Sequence, residues 1–162
     1  MNEKETESIL IYTDGSCNTK LCIGGWASII LIGEEKHTLY GKENNTTNNR
    51  MELMAVIVAL ETLKKEKLNI HIYTDSKYVC DAIDKKWVWG WQKKGWKDKK
   101  NIDLWKRFIL LYDQHIVSMH WVKGHAGIEE NEVCDVLATT AAKNGPWKKD
   151  FGYKQENNVS LI

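Results

Sequence analysis

Ile9-Leu10-Ile11-Tyr12-Thr13-Asp14-Gly15 and Ile72-Tyr73-Thr74-Asp75-Ser76 are two stretches of nearly the same wording in one chain of 162 residues. Each is a run of apolar and β-branched residues closed by an aspartate and a small residue, the composition of a strand that leads into a turn or a helix. In an open α/β sheet the carboxyl ends of the strands are where ligands bind, and here each end presents a carboxylate.

Working outward from these two strands, residues 8–13, 24–32 and 36–42 read as three antiparallel strands, the last two joined through Gly33-Glu34-Glu35. Residues 48–67 lack Gly and Pro, are rich in Leu, Met, Ala and Glu, and follow a Thr/Asn cluster that supplies capping side chains, so a helix is predicted there. A strand over 69–74, a helix over 76–84, an amphipathic helix over 102–114, a strand over 116–122 and a helix over 129–143 complete the chain. Asn144-Gly145-Pro146 stops the final helix. The expectation is an α/β fold: a five-stranded mixed sheet, three antiparallel strands then two parallel, flanked by helices.

The length suits a single domain over 1–162 that buries its core without disulfides, with 1–7 and 146–162 as partly flexible tails. The four cysteines form no C-x-x-C pair and no zinc spacing with the five histidines, so they read as reduced thiols of a cytoplasmic protein. The longest apolar run, Leu53 to Leu60, is far too short to cross a bilayer. Net charge is only +1, but residues 85–100 hold seven lysines against one aspartate, so positive charge is concentrated in one place.

Taken singly, the acids have ordinary readings. Asp75 suits a helix N-cap and Asp14 before Gly15 suits a turn. Glu52 resists one, being the only ionisable residue between Arg50 and Glu61 in a helix that is apolar almost all round. A carboxylate in that setting needs a partner, and a hard divalent cation shared with the aspartates would satisfy it. Asp135 in the last helix and His125 in the loop Gly124-His125-Ala126-Gly127 are each ordinary alone. The run from Lys85 to Lys97 interleaves lysines with Trp87, Trp89, Trp91 and Trp96, suiting phosphate contact by the ammonium groups and packing of indoles along deoxyribose.

Tyr12-Thr13-Asp14-Gly15-Ser16, Thr46-Thr47-Asn48-Asn49-Arg50-Met51-Glu52-Leu53, Thr74-Asp75-Ser76, and Trp121-Val122-Lys123-Gly124-His125-Ala126-Gly127 through Asn131-Glu132-Val133-Cys134-Asp135 together resemble the successive motifs of type 1 ribonucleases H. The match runs in order over nearly the whole chain. The resemblance implies a ribonuclease H-like fold and an endonuclease that cuts the RNA strand of an RNA–DNA hybrid, as in removal of RNA primers and R-loops. It puts the metal-binding acids on Asp14, Glu52, Asp75 and Asp135, with His125 as a fifth catalytic residue that assists proton movement or product departure. It also implies two Mg2+ ions, with Mn2+ as an alternative, roughly 3.5–4 Å apart at the scissile phosphate. Asp14 would bridge them, with Asp75 and Glu52 on one ion and Asp135 on the other.

The same resemblance assigns substrate contact to Cys17, Asn18, Thr47, Asn48, Asn49 and Lys77, and reading of the 2′-hydroxyl to Cys17, Asn48 and Glu52. The basic segment is similar to the family's basic protrusion, placing Trp87, Trp91, Lys93, Lys94, Trp96 and Lys97 on the DNA strand. A monomer acting without a protein partner or membrane is expected. Two positions depart from the pattern: Lys20 stands where an asparagine is common, and Lys77 where a glutamine is. Another nuclease of the same superfamily, a non-enzymatic hybrid-binding module and a metal-dependent phosphatase are the competing readings.

Overall fold

A computed structural model of the chain describes residues 8–124, 127–144 and 147–149. Its elements run β1 (Ile9–Asn18), β2 (Ile23–Ile32), β3 (Glu35–Asn44), α1 (Asn48–Thr62), β4 (Asn69–Thr74), α2 (Lys77–Asp84), α3 (Trp87–Lys93), α4 (Ile102–Tyr112), β5 (Ile116–Trp121), α5 (Glu129–Asn144) and β6 (Trp147–Lys149).

Successive strand residues point to opposite faces, and β2 is apolar on both. Trp26 and Ile30 join one core layer with α1, α2 and α4, while Ala27 and Ile29 meet Cys134 and Ala138 of α5 on the other side. The sheet is therefore sandwiched at its centre, in the order β5-β4-β1-β2-β3-β6. β1, β2 and β3 pair antiparallel, and β4 and β5 join β1 in parallel.

The β1–β4 ladder runs from Ile9↔Ile70 to Tyr12↔Tyr73, whereas β1 stays paired with β2 out to Asn18↔Ile23. Asp14 and Asp75 each lie two residues beyond the last shared pair. They flank the opening where the sheet changes direction, which is the ligand position in folds of this kind.

α1 is buried nearly all round, with Met51, Leu53, Met54, Ala55, Val56, Ile57, Ala59 and Leu60 in the core. Thr47 caps it by accepting from the Arg50 N–H at 3.2 Å. Arg50 is 1% exposed and forks onto Asp103 of α4 at 2.9 and 2.7 Å, fastening the start of α1 to the start of α4.

Several expectations change. β1 does not stop at Thr13: Gly15 is a strand residue opposite Trp26, not a turn. α1 ends at Thr62, not at 67, because Leu63 turns extended (ψ 130°) and packs on the core, leaving the charged run after it outside the helix. The five expected strands are joined by β6, which pairs with Lys42–Asn44 of β3 inside the stretch expected to be a tail. Among the described residues, no helix is long and apolar enough to cross a membrane.

Candidate active site

Three elements converge on one carboxylate cluster. Asp14 on β1, Glu52 just past the first turn of α1 and Asp75 after β4 offer oxygens that all lie within 4.8 Å of one another. The approach of α1 to β1 depends on Gly15: a Cβ there would run into the backbone of Met51 and Glu52. The glycine beside Asp14 is thus what lets Glu52 reach it.

Asp75 is not a helix cap. Ser76 caps α2 by accepting from the Val79 N–H at 3.1 Å, which leaves the Asp75 carboxylate to the cluster. Gly124 allows a second close approach, since a Cβ there would stand 3.0 Å from Asp75 Oδ2. The fourth acid, Asp135 of α5, is hydrogen bonded to Asp14. His125 lies outside the described residues.

Asp14 is 4% exposed and accepts from the Gly15 N–H at 2.9 Å. Burial, then the charge of Asp75, then the hydrogen bond to Asp135 push its carboxyl from 3.8 up to about 8. Glu52 is raised well above its ordinary value by burial and by the charges of Asp14 and Asp75. Its Oε2 is shut off from solvent and has no hydrogen-bond partner. Carboxylates so crowded cannot all ionise without a counter-charge, and a hard divalent cation is the partner that oxygen-only donors select. The residues present therefore fit a divalent metal.

The cluster floors an open cleft of about 490 Å3 whose walls include Ser16, Cys17, Asn48, Asn49, Ser76, Lys77 and Tyr78. Of the expected substrate residues, Cys17, Asn48, Asn49 and Lys77 line this cleft. Asn18 instead organises the β1–β2 turn, its Oδ1 accepting from the Lys20 and Leu21 N–H groups at 3.0 and 3.2 Å. Thr47 is engaged in the α1 cap.

The basic segment contains α3, an element that sequence reasoning did not separate from it. Trp91 and Trp96 pack against the core, while Trp87 is 44% exposed and Lys93, Lys94 and Lys97 are exposed. Lys85 and Lys99 lie over the rings of Trp87 and Trp91, 5.2 and 5.0 Å from the centroids. Trp91 and Trp96 are each half-buried against the core, so the indole most open to a nucleic acid in this segment is Trp87. Ser16, Ser76 and Tyr78 were missed, and only their adjacency to the acids could have signalled them.

The RNase H family profile matches residues 6–143. The ribonuclease H of Nitratidesulfovibrio vulgaris is 47% identical over 154 residues, covering 92% of this chain and 98% of that protein. The ribonuclease H of Trichodesmium erythraeum is 45% identical over 159 residues, 95% of this chain and all of that one. Among solved structures, that of LC9-RNase H1, "a type 1 RNase H with the type 2 active-site motif", is similar with a TM-score of 0.76 at 32% identity, covering 87% of this chain and 74% of that one.

Proposed function

The chain belongs to the ribonuclease H family, and from that premise we infer that its cleft hydrolyses the RNA strand of RNA–DNA hybrids internally, leaving 5′-phosphate and 3′-hydroxyl ends. The observation that carries this reading is the convergence of Asp14, Glu52 and Asp75 within 4.8 Å, with Asp135 bonded to the first.

Asp14, Glu52, Asp75 and Asp135 would hold the metal, read here as two Mg2+ ions, with Mn2+ as the alternative. Bound there, the ions supply Lewis acidity at the scissile phosphate and a water acidified for attack. The chain's own part is to fix the reacting phosphodiester over the acids. Cys17, Asn48 and Glu52 are assigned the reading of the 2′-hydroxyl of the strand being cut, a role supported by their all lining the cleft. His125 is assigned proton movement at product departure, a supporting role. Lys93, Lys94, Lys97 and the exposed face of Trp87 form a basic protrusion that holds the DNA strand, the mark of the type 1 form. The working unit is a monomer in the cytoplasm.

The test is cleavage of an end-labelled RNA–DNA hybrid with Mg2+, with duplex RNA and duplex DNA as controls and Asp14→Asn as the inactive comparison. Cutting confined to the RNA of the hybrid and lost in Asp14→Asn is expected. Equal cutting of duplex DNA would favour a related nuclease of the same superfamily, and no cutting would refute the reading.

A further inference from the structure

Trp121 ends β5, an edge strand, with 45% of its surface exposed. Both functional parts of that indole are used. Its Nε1–H donates to the Asp75 carbonyl at 3.2 Å. Its ring carries the Lys77 ammonium, 4.7 Å from the centroid. One side chain thus touches the residue that bears a cluster carboxylate and the first residue of α2, and Lys77 lines the same cleft as the four acids.

A lysine on a flexible four-carbon stem ordinarily sweeps a wide volume, and contact with an aromatic face confines it. Its ammonium has three donors and no acceptor, so on a polynucleotide its match is a phosphate oxygen. Four carboxylates at the floor of the cleft repel that polyanion, and a confined ammonium at the rim offsets the repulsion where the cut strand enters.

We propose that Trp121 is a positioning residue of this cleft, seating Lys77 as a phosphate ligand for the RNA strand and steadying Asp75 through the indole N–H. The proposal rests on the ribonuclease H reading, because it requires a phosphodiester as occupant. It separates two effects: the ring and the ammonium act on binding, and the N–H acts on catalysis through the backbone of Asp75.

The experiment uses the full chain. Binding of a fluorescently labelled hybrid is followed by anisotropy without metal between about 50 and 200 mM salt, and steady-state cleavage with Mg2+ is measured alongside. Lys77→Gln should weaken binding roughly fivefold at the lowest salt and reduce the slope of log Kd against log salt by roughly 0.7–0.9. Lys77→Arg should restore the slope. Trp121→Leu should flatten the slope as Lys77→Gln does, whereas Trp121→Phe, which keeps a ring and loses the donor, should keep the slope and lower kcat roughly ten- to a hundredfold. A purely structural Trp121 would depress the active fraction and leave every slope alone. An unaltered slope in Lys77→Gln or Trp121→Leu overturns the seat, and a parental kcat in Trp121→Phe overturns the role at Asp75. A parent chain that binds hybrid but fails to cut it refutes the ribonuclease H reading instead, leaving the binding slopes to judge the seat.

Discussion

Removing one charge from the carboxylate cluster should make the metal-free protein more stable while abolishing its activity. Asp14 is held at about 8 in the folded chain against 3.8 ordinarily, so the native state binds that proton more tightly than the unfolded state does. Its contribution to stability is therefore fully present below pH 4 and is lost as pH rises through 8. Each unit corresponds to about 1.4 kcal/mol, so the loss approaches roughly 4 kcal/mol at pH 7 and 5–6 kcal/mol above pH 8. Asparagine has the same shape, is neutral at every pH, and keeps an oxygen to accept from the Gly15 N–H.

Asp14→Asn should then exceed the parent by about 3–5 kcal/mol in EDTA at pH 8.5, a rise in Tm on the order of 10 °C for a chain of this size, and by only about 1–2 kcal/mol at pH 5. Thermal melts followed by circular dichroism at the two pH values measure it directly. Mg2+ should narrow the gap at pH 8.5 by stabilising the parent. Equal stabilities at pH 8.5 without metal, or a gap that persists unchanged at pH 5, would refute the argument that burial and like charge are what raise this carboxyl.

Asp103→Ala leaves Arg50 buried without its forked partner, and denaturant unfolding should show a loss of roughly 3 kcal/mol. Gly15→Ala forces α1 away from β1, so hybrid cleavage should fall by about a hundredfold or more, with a lowered Tm. The double change Lys93→Ala with Lys94→Ala should raise KM for the hybrid and reduce the dependence of log KM on log salt by roughly 2, with DNA-strand contacts as the origin. A salt dependence equal to the parent's would place those lysines off the nucleic acid.

Which acids come together was legible in the sequence, and how they do so was not. The echo between Thr13-Asp14 and Thr74-Asp75 reported two strand ends because β-branched runs closed by a carboxylate follow local rules. Glu52 stood out because a lone acid in an all-apolar helix conflicts with burial. A turn at Gly15 was left open because a glycine required for close approach has the same local signature as one required for a bend. The backbone of Met51 and Glu52 that imposes the requirement is distant in sequence. How much of Trp91 and Trp96 is left open was hidden for a related reason: an indole that fills a core and one that meets a ligand look alike until the packing is known.

Gly15 explains how Glu52 can reach the aspartates. Hydrogen bonds among the acids offset only part of the cost of burying them side by side, so other contacts must hold them together. Gly15 admits the α1 backbone against β1, and the segment after β5 passes close to the Asp75 carboxylate at Gly124. The apolar burial of α1 and the Arg50–Asp103 fork then hold that helix in place against the repulsion. The rigidity is supplied by groups that never meet the substrate, and the repulsion is left as a standing demand for a divalent cation. Affinity for metal and pH-dependent weakness of the metal-free chain are for that reason two readings of one stored electrostatic energy. A substitution that relieves the weakness should lower the affinity.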